Sequence, residues 1–268
     1  MIQQRFLQYV KPQDQPLFIP FIMAGDPTPE ATIELALTLQ EAGAHALELG
    51  IPYSDPLADG PVIQRAAKRA LAHKMSLKRA LELVPIMRER GLEIPVIVFT
   101  YYNPVLQFGE REFMNKAKEC GVDGLLVPDI PFEESEELAR LCEENELQFI
   151  SLVAPTSKQR IEKIAKSAKG FIYCVSSLGV TGVRNEFHPK VYEFLEDVRS
   201  YSKVPVVVGF GISNNEQVQQ LQSHCDGVIV GSAIIREVEK VKELLEDEKL
   251  RKDGLFHIKR FVLSLISS

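Results

Sequence analysis

Apolar residues in this chain gather in short, nearly unbroken runs, separated by longer stretches in which they recur every three or four positions. The first pattern belongs to strands buried on both faces, the second to helices with one apolar side. Residues 17–23 form the first run, and 29–42 the helical stretch behind it. The run 45–50 comes next, then helices over 62–72 and 77–90, the latter capped by Ser76 and ended by Gly91. Further strand runs are 95–100, 122–127, 147–153, 170–175, 205–209 and 227–230, with helical stretches at 111–120, 133–144, 158–167, 189–200 and 215–223. Eight strand-then-helix units without a linker predict a closed (β/α)8 TIM barrel, a single domain over 1–268 with extra N- and C-terminal helical segments. Residues 238–250 and 256–266 repeat apolar positions at helical spacing and are expected to pack on the barrel wall. An open doubly wound sheet is the alternative, but no Gly-x-Gly-x-x-Gly follows the first strand.

One strand run carries an acid. Side chains alternate along a strand, so Glu48 shares a face with the small residues Ala44, Ala46 and Gly50. Desolvation there would raise its pKa toward values that suit a general acid or base. Pro52, Pro56 and Pro61 frame Asp55 and Asp59 in a stiff loop returning toward the strand end, which would let Asp59 face Glu48 across a small cleft. The competing reading makes Asp55 and Asp59 turn or cap residues, since Asp59-Gly60-Pro61 precedes an amphipathic run. In such a barrel the chemistry lies at the C-terminal ends of the strands, where Glu48, Tyr101, Asp129 and Tyr173 all fall. Asp129, between two prolines, reads as a loop cap or a third acid. The two tyrosines read as core-rim residues or ligand contacts.

Three glycine-rich pieces, 176–182, 209–212 and 231–233, follow the last three strands. Glycine lets backbone N–H groups approach a phosphate closely, and Gly231-Ser232 opens a helix whose N-terminus favours an anion. Glycines that merely end tightly packed strands are the plainer explanation, but this fold recurrently binds phosphate after strands seven and eight. The connection from Ser176 to about His188 is long and holds Gly179, Thr181 and Gly182, as a mobile lid would.

A net charge of −6 without a basic stripe argues against nucleic acid, and no apolar run reaches bilayer-spanning length. The expected location is cytoplasmic. Cys120, Cys142, Cys174 and Cys225 are far apart and read as reduced core thiols, while five scattered histidines argue against a metal site.

The segments 20–27, 47–61, 101–104, 179–182 and 208–212 closely resemble the tryptophan synthase α subunit family, over essentially the whole chain. That resemblance implies retro-aldol cleavage of indole-3-glycerol phosphate to indole and D-glyceraldehyde 3-phosphate, with no metal or organic cofactor on this chain. By it, Glu48 matches the main acid–base catalyst and Asp59 the second catalytic acid, acting on the indole N–H. Phe21, Ile63, Phe99, Tyr101, Leu125, Tyr173 and Phe210 match the surroundings of the indole, and Gly182, Gly211, Gly231 and Ser232 the phosphate contacts. Thr181 matches the lid threonine that reaches toward the Asp59 loop, while Ser177 departs from the arginine often found in that lid. The resemblance also implies a β-subunit partner in an α2β2 complex, which carries pyridoxal phosphate and receives indole through a tunnel. Pro52, Asp55, Tyr102 and Asn103 resemble the contact loops. Competing readings are another phosphate-binding barrel, such as a sugar-phosphate isomerase or indole-glycerol-phosphate synthase, and a non-catalytic paralogue that only binds or activates.

Overall fold

The computed structural model describes residues 2–11, 16–175, 189–209 and 211–267. All of its strands are parallel: β1 (Leu17–Met23), β2 (Leu47–Gly50), β3 (Val96–Phe99), β4 (Gly124–Leu126), β5 (Gln148–Phe149), β6 (Ser151–Val153), β7 (Ile172–Val175), β8 (Val206–Gly209) and β9 (Gly227–Val230). Their order is β5-β4-β3-β2-β1-β9-β8-β7-β6. The two ends of that order are halves of one extended stretch, the expected fifth strand. It pairs with β4 through its first half and with β7 through its second, and this closes the sheet into a barrel.

Parallel strands covered by helices have no wet face, so both sides of the wall are apolar. Leu17, Ile19, Ala46, Ile97, Leu126, Ile150, Phe171, Val207 and Ile229 fill the interior, while a larger cluster joins the outer strand faces to the helices. The extra N-terminal helix, Ile2–Tyr9, closes the bottom by adding Phe6 to the interior cluster. Two departures from the expected elements have local causes. The 77–90 helix is broken at Glu82 into Leu77–Leu81 and Leu83–Glu89, because Pro85 has no N–H to continue the ladder. The 101–104 segment opens a further helix, Tyr102–Phe108, whose first turn tolerates Pro104.

Three crossovers are tied at the bottom by one recurring bond. A side chain just before a strand accepts the backbone N–H at the start of the preceding strand of the chain: His45 Nδ1 from Phe18 at 3.0 Å, Asp123 from Val96 at 2.9 Å and Asp226 from Val206 at 2.8 Å. Asp123 is fully buried and also accepts Arg5 at 2.8 Å and Arg88 at 2.5 Å, which joins the N-terminal helix and the Leu83–Glu89 helix to the wall. The Asp123→Ala variant leaves Arg5 and a strand N–H without their acceptor and Arg88 without its counter-ion, though Arg88 keeps the carbonyls of Leu92, Ile94 and Gly121. It is expected to lose about 3–5 kcal/mol in urea unfolding. His45 accepts only while neutral, and burial among uncharged neighbours lowers its pKa below the ordinary 6.5. Its contribution, about 1 kcal/mol, is therefore fully present above 6.5 and lost as pH falls from there through the lowered folded-state pKa. Melting curves across pH 5–7 are expected to show this loss in the wild type and not in His45→Asp.

Candidate active site

The strand register decides which side chains reach the barrel mouth. Phe21 pairs with Glu48 and Glu48 with Ile97, and parallel partners share a face, so all three point inward. Gly50 pairs with Phe99 and Phe99 with Leu126, which continues the same face one level higher. The expected inward direction of Glu48 is thus what the register gives. Leu125 is a correction: it pairs with Val98 on the outer face and packs against the helices, whereas Leu126 points inward. The run Leu125-Leu126-Val127 does not alternate, so sequence alone could not fix its phase.

At the mouth lies a cavity of about 360 Å³ lined by Phe21, Glu48, Asp59, Ile63, Phe99, Tyr173, Gly211, Gly231 and Ser232 among others. Glu48 is 1% exposed, and its Oε1 has no hydrogen-bond partner among the described residues. Burial without compensation pushes its pKa up to about 8, so the carboxyl is mostly protonated at neutral pH. Phe21 and Phe99 form an edge-to-face pair with ring centroids 5.6 Å apart. Two glycines seat the aromatic walls: a Cβ on Gly50 would stand 2.3 Å from the Phe21 ring, and one on Gly209 would stand 2.3 Å from that of Tyr173.

Asp59 comes from the proline-framed loop. It does not cap the following helix, Pro61–Ala72, whose N-cap is Gly60 without a side-chain bond. The carboxylate instead lies close to the Tyr101 hydroxyl, which accepts the Ala58 N–H at 3.0 Å. Burial raises the Asp59 pKa, and the neighbouring tyrosine hydroxyl partly offsets this. Tyr101 is therefore the strut of the acid loop. Asp129 takes the cap reading, accepting the Tyr102 N–H at 2.9 Å from across the loops.

The wall beyond β9 suits an anion. Gly231 and Ser232 open the nine-residue helix Ser232–Lys240, whose N-terminus has no side-chain cap, and Gly211 adopts φ +70 beside it. The first-turn N–H groups of such a helix have no intrahelical acceptors. Ala58, Gly60, Pro128, Leu152, Val175 and Ile229 also line the cavity. Sequence reasoning missed these six. Parity along the strands could have suggested Leu152 and Ile229, but nothing local marks the loop residues. Thr181, Gly182 and Phe210, together with Ser177, lie outside the described residues. Of the four rim residues expected at a partner contact, Asp55 and Asn103 are exposed, Tyr102 is half-buried and Pro52 is buried, so Pro52 presents little surface. No group of three or more possible metal ligands occurs among the described residues.

Comparison with known proteins bears on what such a cavity is for. The profile of the family described as tryptophan synthase alpha chain matches residues 7–258. The alpha chain of Halalkalibacterium halodurans is 65% identical over 252 residues, covering 94% of this chain and 95% of the relative. That of Bacillus subtilis is 55% identical over 248 residues, covering 92% and 93%. The crystal structure of the Legionella pneumophila alpha subunit superposes with a TM-score of 0.85 at 36% identity, covering 98% of this chain and 96% of that one. A chain in a structure of the tryptophan synthase a2b2 complex from Pyrococcus furiosus gives 0.84 at 35%, covering 95% and 99%. A profile spanning most of the chain, relatives more than half identical and the same barrel in solved structures agree: this chain belongs to the tryptophan synthase alpha chain family.

Proposed function

We propose that Glu48 and Asp59 are the acid–base pair with which this chain carries out the family's reaction. That reaction is the retro-aldol cleavage of indole-3-glycerol phosphate to indole and D-glyceraldehyde 3-phosphate, which makes the chain a carbon–carbon lyase of tryptophan synthesis. The observation that carries the assignment is the buried carboxyl of Glu48, its Oε1 without a partner among the described residues, inside a cavity that has a second acid on its rim and an uncapped helix N-terminus in its wall.

The chemistry needs one group that first gives a proton and then takes one. Protonating the substituted ring carbon turns the indole into an electron sink. Removing the proton from the hydroxyl of the attached side-chain carbon then lets the carbon–carbon bond electrons flow into the ring, forming the aldehyde and releasing indole. A carboxyl held at about 8 keeps its proton at neutral pH for the first step, and its conjugate base, poorly solvated, is strong enough for the second. Asp59, held by Tyr101, serves the indole N–H, where positive charge develops once the ring is protonated. Phe21, Ile63, Phe99 and Tyr173 supply apolar and aromatic surface for the ring, and Gly211, Gly231 and Ser232 hold the phosphate. Thr181, Gly182 and Phe210 are assigned by resemblance, to lid, phosphate and indole. The chain's own chemistry is acid–base throughout, without metal or organic cofactor.

A β subunit carrying pyridoxal phosphate is the proposed recipient of the indole, in an α2β2 complex. Support comes from the a2b2 assembly of the Pyrococcus furiosus relative and from the rim itself. There Leu57 and Leu106 expose apolar side chains, in the same loop as Asp55 and the same helix as Asn103. An Asn103 to Tyr53 bond of 3.0 Å joins that helix to the loop. A cytoplasmic location fits four free, buried cysteines, and no helix among the described residues is long and apolar enough to cross a membrane.

Glu48→Gln is expected to lower indole release from indole-3-glycerol phosphate by at least about 10²-fold, with and without a β subunit, while ligand binding survives. Turnover close to wild type would exclude Glu48 as the proton donor. An inactive wild type under both conditions would favour a non-catalytic binder or another phosphate substrate. The same variant reports on stability. The folded state keeps the Glu48 proton up to about 8, whereas the unfolded chain releases it near 4.5. Wild-type stability therefore falls across that window, and the advantage of Glu48→Gln in denaturant unfolding is expected to grow with pH, toward a limit of about 5 kcal/mol.

A further inference from the structure

The two walls that must act on one substrate are carried by different helices, and one ion network joins those helices. Pro61–Ala72 starts two residues after Asp59, and its first turn is tied to that residue by the Gln64 side chain, which donates to the Asp59 carbonyl at 2.8 Å. Ser232–Lys240 begins at the anion wall. Two turns along the first helix, Arg69 donates to both oxygens of Asp26, at 2.7 and 3.0 Å, and to Glu239 of the second helix at 2.8 Å. Arg65 grips Glu239 from the same side with bonds of 2.8 and 2.7 Å. Asp26 is 2% exposed and lies just beyond β1, the strand that carries Phe21 into the cavity. Arg69 is mostly buried, and both of its carboxylate partners lie on other elements, so screening weakens this link far less than a surface pair.

We propose that Glu239 and Arg69 are positioning residues for the cleavage reaction, clamping the Asp59-bearing helix to the anion-binding helix so that the acid and the phosphate site keep a fixed separation. The proposal rests on the role of Asp59 given above. Neither residue lines the cavity, so both act through the helices they join. A network with only a structural role would contribute to stability alone. A positioning network must instead show itself in turnover, because a displacement near 1 Å of a reacting group costs a large rate factor.

The test is steady-state cleavage of indole-3-glycerol phosphate by the full chain below its melting temperature. Glu239→Gln is the first variant, because it leaves the buried Asp26 to Arg69 pair intact. Asp123→Asn, destabilised at the far end of the barrel, is the control. Glu239→Gln is expected to lower kcat about tenfold with KM changed less than about threefold, and Asp123→Asn to leave kcat of the folded enzyme unchanged. In an Asp59→Asn background, Glu239→Gln is expected to cause no further loss, since both changes act on one group. Arg69→Lys, which can hold one carboxylate but not both, is expected to fall between wild type and Glu239→Gln. A kcat for Glu239→Gln within about twofold of wild type would overturn the proposal, and so would the same tenfold loss on top of Asp59→Asn or in the Asp123→Asn control. If Asp59→Asn alone turns over normally, the role of Asp59 fails and the positioning proposal falls with it, an outcome distinct from the others.

Discussion

A buried carboxyl group whose Oε1 has no hydrogen-bond partner among the described residues organises this molecule. Glu48 sits inside a closed barrel where an ionised form would cost several kcal/mol, so it holds its proton at neutral pH. That state is useful for proton transfer only if the wall around it stays closed. The interior cluster below Glu48, the Phe6 plug and the strand-to-side-chain bonds at the bottom all serve to keep it so. The same burial that tunes the acid makes the folded state less stable as pH rises. Under the role proposed for Glu48, function and stability therefore pull in opposite directions at one residue.

The rim is assembled differently from the floor. Below, regular pairing and apolar packing fix positions to within the register of the sheet. Above, the acid loop and the helix beside it are held by a few side-chain bonds: the loop by the Tyr101 hydroxyl on the Ala58 N–H and by Gln64 on the Asp59 carbonyl, and the Tyr102–Phe108 helix by Asp129 and by the Asn103 to Tyr53 bond. Such sparse struts move easily. They suit a site that must admit a phosphorylated aromatic substrate and release a smaller aromatic product.

The aromatic walls depend on absent atoms as much as on present ones. Phe21 and Tyr173 lie where a β-carbon on Gly50 or Gly209 would stand. The cavity's width is thus set by glycines on neighbouring strands, and any side chain there would push a ring toward the substrate.

Much of this was determined locally. The unbroken apolar runs of 17–23 and 95–100 specify buried parallel strands because no polar face is offered, and Glu48 stands out because an acid has no local reason to be in such a run. Alternation from Ala46 through Gly50 placed it on one face with small residues, but only pairing with Phe21 and Ile97 made that face the interior. Leu125 shows where local pattern stops: three successive apolar residues carry no phase, and only pairing with Val98 and Phe99 assigned Leu125 to the outer layer and Leu126 to the interior. Asp129 and Asp59 were each legible as cap or acid, and the choice lay in contacts with Tyr102 and Tyr101, more than twenty residues away in sequence. Arg69 is an ordinary charge on an amphipathic helix until the closed barrel sets it between Asp26 and Glu239. Sequence by itself determined the barrel and its candidate acid, because periodicity and polarity are local. Which loop groups meet that acid was decided only by the tertiary structure, because closing the sheet brings together residues whose proximity no local pattern records.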